Sequence, residues 1–328
     1  MPRSFLGLLL LAACSSPAKE EERQAPAREA PPPLQPQPVT GDIYRTSRET
    51  GFDDMLEDLA KAQVVYLGES HTNPEHHEIQ LRILEALFEK KNLHGIGMEM
   101  FQRRFQPVLD DWVEGRIGEQ ELLERCEWKK RWGHDFALYR PILKFARDKR
   151  IPVIALNVEQ ETRKLVSKGG LDAVPEDVRR TLPALYTDDA QHRAYLKSVY
   201  GEGHPTPKGD KPKTPMTEKQ KAAAFERFYL VMCLWDDVMA DSVVRWFRTA
   251  PQRGQIVVLA GHGHLANRYG IPGRAFRRNG KPYSIVIPIG VDKDPPPAAD
   301  FARRYADFVW LTGPTPKRDA PALSGSAE

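Results

Sequence analysis

The chain is poor in cysteine. Its 328 residues carry three, too few for the disulfide framework of a small secreted scaffold. It has no excess of one charge. The 48 basic residues stand against 45 acidic ones, a net of +3, and nothing in that balance argues for a nucleic-acid partner. It has no apolar run fit to cross a bilayer: Phe5 to Ala13 falls well short of the roughly 20 residues a spanning helix needs. It has no internal repeat of solenoid length. What remains is a globular chain, 41% hydrophobic, suited to one sizeable domain or two small ones.

What is present begins with a secretion signal over residues 1–13. Arg3 is the only charge in the first 18 residues, and the apolar run follows it. The run ends in Leu11-Ala12-Ala13-Cys14, which resembles the bacterial lipobox. Cleavage there would expose Cys14 to acylation, palmitate included. Several acyl chains would anchor the protein stably, whereas one binds only marginally. Residues 14–40 hold seven prolines and almost no large apolar side chain, so they read as a tether. Ser15 follows the cysteine, with no Asp to suggest inner-membrane retention. The expected location is therefore a periplasm-facing leaflet, the outer membrane's in preference. Residues 41–312 are expected as one α/β domain and 313–328 as a frayed tail. Cys126 and Cys233 fall in helical-looking segments, and their pairing is left open.

The chain is organised around Val64-Val-Tyr-Leu-Gly-Glu-Ser-His-Thr-Asn-Pro-Glu-His-His77. Val64 to Leu67 form a short buried strand. Gly68 is expected to let the chain turn. Asn73 reads as an N-cap and Pro74 as the first helical residue. Ile79, Ile83, Leu84, Leu87 and Phe88 then mark one helical face. Glu69, Ser70, His71, Glu75, His76 and His77 crowd the corner between strand and helix. In open α/β sheets ligands bind at the carboxyl ends of strands, and Glu69 with His71 is placed there.

Three further strands end in chemistry. Gly95 to Met100 carries Glu99 among apolar neighbours, where a carboxylate needs a partner or a metal. Ile151 to Asn157 ends in Asn157. Gln255 to Gly261 runs straight into His262-Gly263-His264. Tyr283 to Ile289 is expected as an edge strand, because Pro288 cannot donate to a ladder. Phe308 to Leu311 is a last short one. The spacing predicts helices over 47–62, 106–112, 119–128, 139–149 and 217–248. In the last, at least one of Asp236 and Asp237 is expected to face solvent. Trp128 and Trp132 beside His134 are candidates to wall a pocket. Residues 201–215, with three glycines and four prolines, read as a lid or an exposed insertion.

Alternation of strands and helices predicts an α/β fold, a mostly parallel sheet covered on both faces. Four strand ends then converge on one rim. The repeated Gly-x-x-His spacing, Gly68 to His71 and Gly261 to His264, lets both imidazoles curl over it. Glu69, His71, Glu99 and His264 are the candidate catalytic set. His77, His134, Asn157, Asp236 and His262 are candidate ligand-binding residues. His71, His264 and Glu99 also suit a divalent transition metal with an open position. Without a metal, a Glu–His pair could act on water as a general base. Gly261-x-Gly263-x-x-Ala266 fits a dinucleotide fingerprint loosely, but it comes late and no complete βαβ unit follows.

Gly68 to His77, Gly97-Met-Glu-Met-Phe101, Trp235-Asp-Asp-Val-Met-Ala240 and Ala260-Gly-His-Gly-His264 together resemble the ChaN-like proteins. These are haem-binding bacterial lipoproteins grouped with Tiki proteases and erythromycin esterases. The resemblance spans about 64–290. It implies a three-layer α/β/α sandwich, haem as ligand, a part in iron uptake, and function at Glu69, His71, Glu99 and His264. It also implies an alternative, a metal-dependent hydrolase. The haem-binding members use a tyrosine as iron ligand, and no motif position here carries one. A homodimer is left open.

Overall fold

The computed structural model describes residues 43–45, 48–200, 216–250, 254–291 and 305–314. The expected signal, Cys14, the tether, the 201–215 loop and most of the expected tail lie outside them.

Eight strands form one sheet: β1 (Ile43–Arg45), β2 (Arg48–Thr50), β3 (Val64–Glu69), β4 (Leu93–Gln102), β5 (Val153–Asn157), β6 (Gln255–Gly261), β7 (Tyr283–Gly290) and β8 (Phe308–Thr312). Their order is β2-β1-β8-β7-β3-β6-β4-β5. The six from β8 to β5 run parallel, and β1 and β2 add an antiparallel edge. Parallel strands need crossovers, which the helices supply. They are α1 (Phe52–Leu59), α2 (Pro74–Glu89), α3 (Gln106–Val113), α4 (Glu119–Arg125), α5 (Trp128–Arg131), α6 (Arg140–Asp148), α7 (Gln160–Gly169), α8 (Glu176–Arg179), α9 (Ala190–Tyr200), α10 (Glu218–Thr249) and α11 (Ile271–Asn279).

Alternation in β3 divides the core. Val65 and Leu67 pack with the first six helices, while Val64 and Tyr66 pack with α10 and α11. Both sheet faces are thus covered, in three layers. In β4 the alternation is glycine against large residues. Ile96 and Met98 fill the first layer. Gly95 lets Trp246 of α10 lie on the other face, since a Cβ there would come within 3.0 Å of the indole.

Local signals set the helix starts. Asn73 Oδ1 accepts the Glu75 N–H at 3.0 Å. Thr217 and Gln220 form a reciprocal capping box at α10. Three expectations need correction. Helix α1 starts at Phe52 rather than 47, because Arg48–Thr50 is a strand. β7 is an interior strand. Its pairing with β3 stops at Val286 and Pro288 lies opposite Trp310 of β8, so the missing N–H falls beyond the β3 ladder. Asp236 and Asp237 are both buried, because α10 is packed between the sheet and α7, α9 and α11.

Candidate ligand pocket at the carboxyl rim

The strands that carry the expected residues are neighbours: β3, β6, β4 and β5. Parallel strands lie about 4.8 Å apart, so side chains from their ends meet. They border a cavity of about 240 Å³. Glu99, Asn157, His71 and His264 line it, with His134, Trp132, Trp235, Arg131 and Arg163.

Glu69, the last residue of β3, is the hub. It is buried and accepts hydrogen bonds from His71 Nδ1 at 2.8 Å, Tyr139 Oη at 2.8 Å and Gln80 Nε2 at 3.0 Å. Burial pushes its pKa up, but the His71 hydrogen bond and the charges of His77 and His71 hold it below the ordinary value. His71 therefore presents Nε2 outward. Burial pulls its pKa down, and Glu69 with Glu99 raises it above the ordinary value.

Glu99 sits where β4 leaves register. Met98 pairs with Ala155, but Gln102 pairs with Asn157, a bulge of the kind that re-aims side chains beside functional sites. Asn157 Nδ2 donates to the freed Glu99 carbonyl at 2.7 Å. The Glu99 carboxylate accepts the Gly261 N–H at 2.7 Å and lies 3.5 Å from His264 Nε2. His264 Nδ1 donates to Asp236 Oδ1 at 2.7 Å. Burial alone would lower the His264 pKa, yet Glu99 and Asp236 raise it to about 9. The result is one carboxylate, Glu99, beside two imidazoles each backed by a buried acid.

The glycines do not serve as expected. Gly261 has φ −53°, a value any residue adopts. Its role is space, because a Cβ there would come 2.9 Å from His71 Cε1. Gly68 lies within β3, where an added Cβ would come 3.2 Å from the Ile287 side chain.

Other expected residues divide. His134 and Asn157 line the cavity. Asp236 lies behind His264. His77 is buried behind Glu69, its Nδ1 3.7 Å from the carboxylate, and does not line the cavity. His76 is also buried, so the pair is no surface feature. His262 is exposed and its Nδ1 donates to the Glu69 carbonyl at 3.1 Å. The expected metal set of His71, His264 and Glu99 is not supported. Among the described residues no three His, Cys, Asp or Glu side chains could hold a metal ion, and Glu99 is already engaged by Gly261 and His264. Cys126 and Cys233 are free and buried.

Sequence reasoning missed Tyr139, Gln80, Arg163 and the role of Trp235. Gln80 left a trace, a polar residue four positions after His76 on the face that also holds Ile79 and Ile83. Tyr139 left none, since it reaches Glu69 from 70 residues away.

The sequence model of the family described as "Haem-binding uptake, Tiki superfamily, ChaN" matches residues 55–274. The chain belongs to this ChaN family. Its fold is similar to that of Campylobacter jejuni ChaN, solved with cofacially bound haem. The TM-score is 0.63 at 20% identity, over 84% of this chain and 98% of that one. The sequence is 23% identical to Protein RETICULATA-RELATED 5, chloroplastic, of Arabidopsis thaliana, over 79% of this chain and 35% of that protein. The chain thus spans about a third of that curated relative's length. An erythromycin esterase structure, EreC, reaches a TM-score of only 0.43 at 14% identity, over 76% of this chain and 77% of that one.

Proposed function

We propose that this ChaN-family protein binds haem as cargo at the mouth of the rim pocket and serves haem or iron uptake. One observation carries the reading. His71 is a partly exposed imidazole, its side chain 30% accessible, whose inner nitrogen is bonded to a buried carboxylate. That is how metal-binding histidines are commonly oriented and made more basic. Trp132 and His134 pack against it at centroid distances of 4.7 and 5.0 Å, giving the mouth an aromatic wall. A cavity of about 240 Å³ lies below the roughly 300–1,000 Å³ of sites that enclose a drug-sized ligand. A porphyrin ring therefore fits across the mouth, with only a side arm inside. Tyr139, whose hydroxyl is committed to Glu69, is not offered as the iron ligand. Titration of the full chain with haemin should give a saturable Soret change at sub-micromolar concentration, reduced at least tenfold by His71→Ala. Binding no tighter than to an unrelated lipoprotein would refute it.

Location belongs to the same proposal and rests on the lipobox-like Leu11 to Cys14. Acylated Cys14 holds the domain on a periplasm-facing membrane, with the tether giving a reach of about 30 Å. Among the described residues no helix is long and apolar enough to cross a membrane. A Cys14→Ala protein should leave the membrane fraction, and its full retention there would overturn the assignment.

A hydrolytic reading has one observation in its favour, the His264 imidazole, its pKa raised by Glu99 and Asp236, facing Glu99 across the pocket from His71. His71 Nε2 could take a proton from water while His264 supplies one to a leaving oxygen. Ester or peptide hydrolysis abolished by His71→Ala in a folded protein would support it, and inertness across both substrate classes would count against it.

A further inference from the structure

One cation in the pocket has no ion-pair partner among the described residues. Arg163 stands in the first turn of α7, immediately after β5 and its rim residue Asn157. Its guanidinium lies 4.0 Å from the centre of the Trp235 ring, in a cation–π contact. Among the described residues it forms no ion pair and no side-chain hydrogen bond. The contrast with the other pocket arginine is direct. Arg131 is bound to Glu127 at 2.7 Å and to Glu161 at 2.5 Å.

The charge of Glu99 reaches Arg163 through space, but no ion pair or hydrogen bond joins them. Glu99 is the carboxylate that lines the cavity, and its oxygens are turned to the Gly261 N–H and to His264. Glu69 and Asp236 lie behind the two imidazoles, each bonded to its own. The indole N–H of Trp235 is buried and also has no hydrogen-bond partner. Two donors on touching side chains therefore remain open beside a small cavity. Guanidinium is the donor group best matched to a carboxylate, through two parallel N–H bonds. Stacking on the indole fixes its plane before a ligand arrives, which lowers the entropic cost of binding.

We infer that Arg163, held flat on Trp235, is the residue that recognises a carboxylate of the pocket's ligand. That ligand is a monoanionic arm small enough for the cavity, set between the guanidinium and the His71–Glu99–His264 face. The carboxylate has two possible owners, a porphyrin propionate or a free small acid, and the chemistry is shared. The first rests on the haem reading above and the second does not.

The experiment separates them. Haemin and its dimethyl ester, which lacks free carboxylates, are titrated into the full chain and into R163Q and R163K. Benzoate binding is measured on the same proteins by calorimetry. Circular dichroism and thermal melting confirm that the variants fold. The propionate case predicts wild-type preference for haemin over the ester of about tenfold or more, lost in R163Q and partly restored in R163K. If wild type binds no haem, the haem reading fails and the benzoate arm decides alone. Benzoate affinity reduced about tenfold in R163Q then supports the inference. Haemin preference retained in R163Q overturns it. So does equal wild-type binding of haemin and ester without Arg163-dependent benzoate binding, or a wild type that binds neither haem nor benzoate.

Discussion

Asp236 and Asp237 are adjacent on α10, equally buried, and are bonded to different partners. Asp236 backs the pocket residue His264, and its second oxygen lies 3.9 Å from His192. Asp237 faces away. It pairs with Arg274 and with Arg278, the latter at 2.7 Å, and accepts the Tyr186 N–H at 2.8 Å. Arg274 is itself wholly buried and reaches His192 and Cys233. The Asp237 cluster is closed, since its charges satisfy one another. The Asp236 cluster is left open towards the cavity, where His264 and Glu99 meet a ligand. The same residue type, one position apart, clamps α10 to α11 in one case and tunes an imidazole in the other.

The sharpest test is to remove each acid in turn. Asp237→Ala strands the buried Arg274 charge and should cost about 3–5 kcal/mol, read as a shift in the urea midpoint. Asp236→Asn removes one charge-assisted hydrogen bond and should cost less, about 1.5–3 kcal/mol. It should also bring the His264 pKa down from about 9, visible by NMR titration. Equal destabilisation by both changes, with His264 unmoved, would erase the distinction.

A second contrast lies in the histidines. His264 is held charged, whereas His76 is held neutral with a pKa of about 4, mainly by burial and then by the neighbouring His77 and His262. Its Nδ1 accepts the Ser70 N–H at 2.9 Å, and its Nε2 meets Thr312 Oγ1 at 3.1 Å. An unfolded His76 titrates near 6.5, so the unfolded state binds the extra proton between pH 6.5 and 4. Stability from this site is fully present above 6.5 and is lost as pH falls towards 4, by roughly 3 kcal/mol. His76→Asn should flatten that acid slope in urea titrations at pH 7, 5.5 and 4.5. The smallest effect expected is at the hub: Tyr139→Phe removes one of three donors to Glu69, for about 1 kcal/mol, measurable as a melting shift.

Much of this arrangement was legible in the sequence, and the reason is periodicity. Val64 to Leu67 and Ile256 to Ala260 are continuous apolar runs, the pattern of strands buried on both faces. Asn73-Pro74 marked a helix start in so many letters. Glu99 stood out because a carboxylate inside such a run demands a partner. The errors share another cause. Pro288 and the Asp236–Asp237 pair were read by rules about single elements, but their fates depend on what packs beside them. β3 happens to stop pairing before Pro288, and Arg274 arrives from another helix to neutralise Asp237. Tyr139 and Arg163 were illegible for the same reason, since a polar group at a helix start says nothing about which strand end it will reach.

The bond from His76 to Thr312 joins residues 236 positions apart, and Gly313 N–H adds a bond to Glu75 at 2.8 Å. The corner after β3, which carries His71 beside Glu69, is thereby fastened to β8. A ribosome releases β8 after the other seven strands described, so a growing chain with those strands made still lacks the fastening for its ligand-facing corner. The ligand-facing corner is therefore completed only once β8 has joined the sheet.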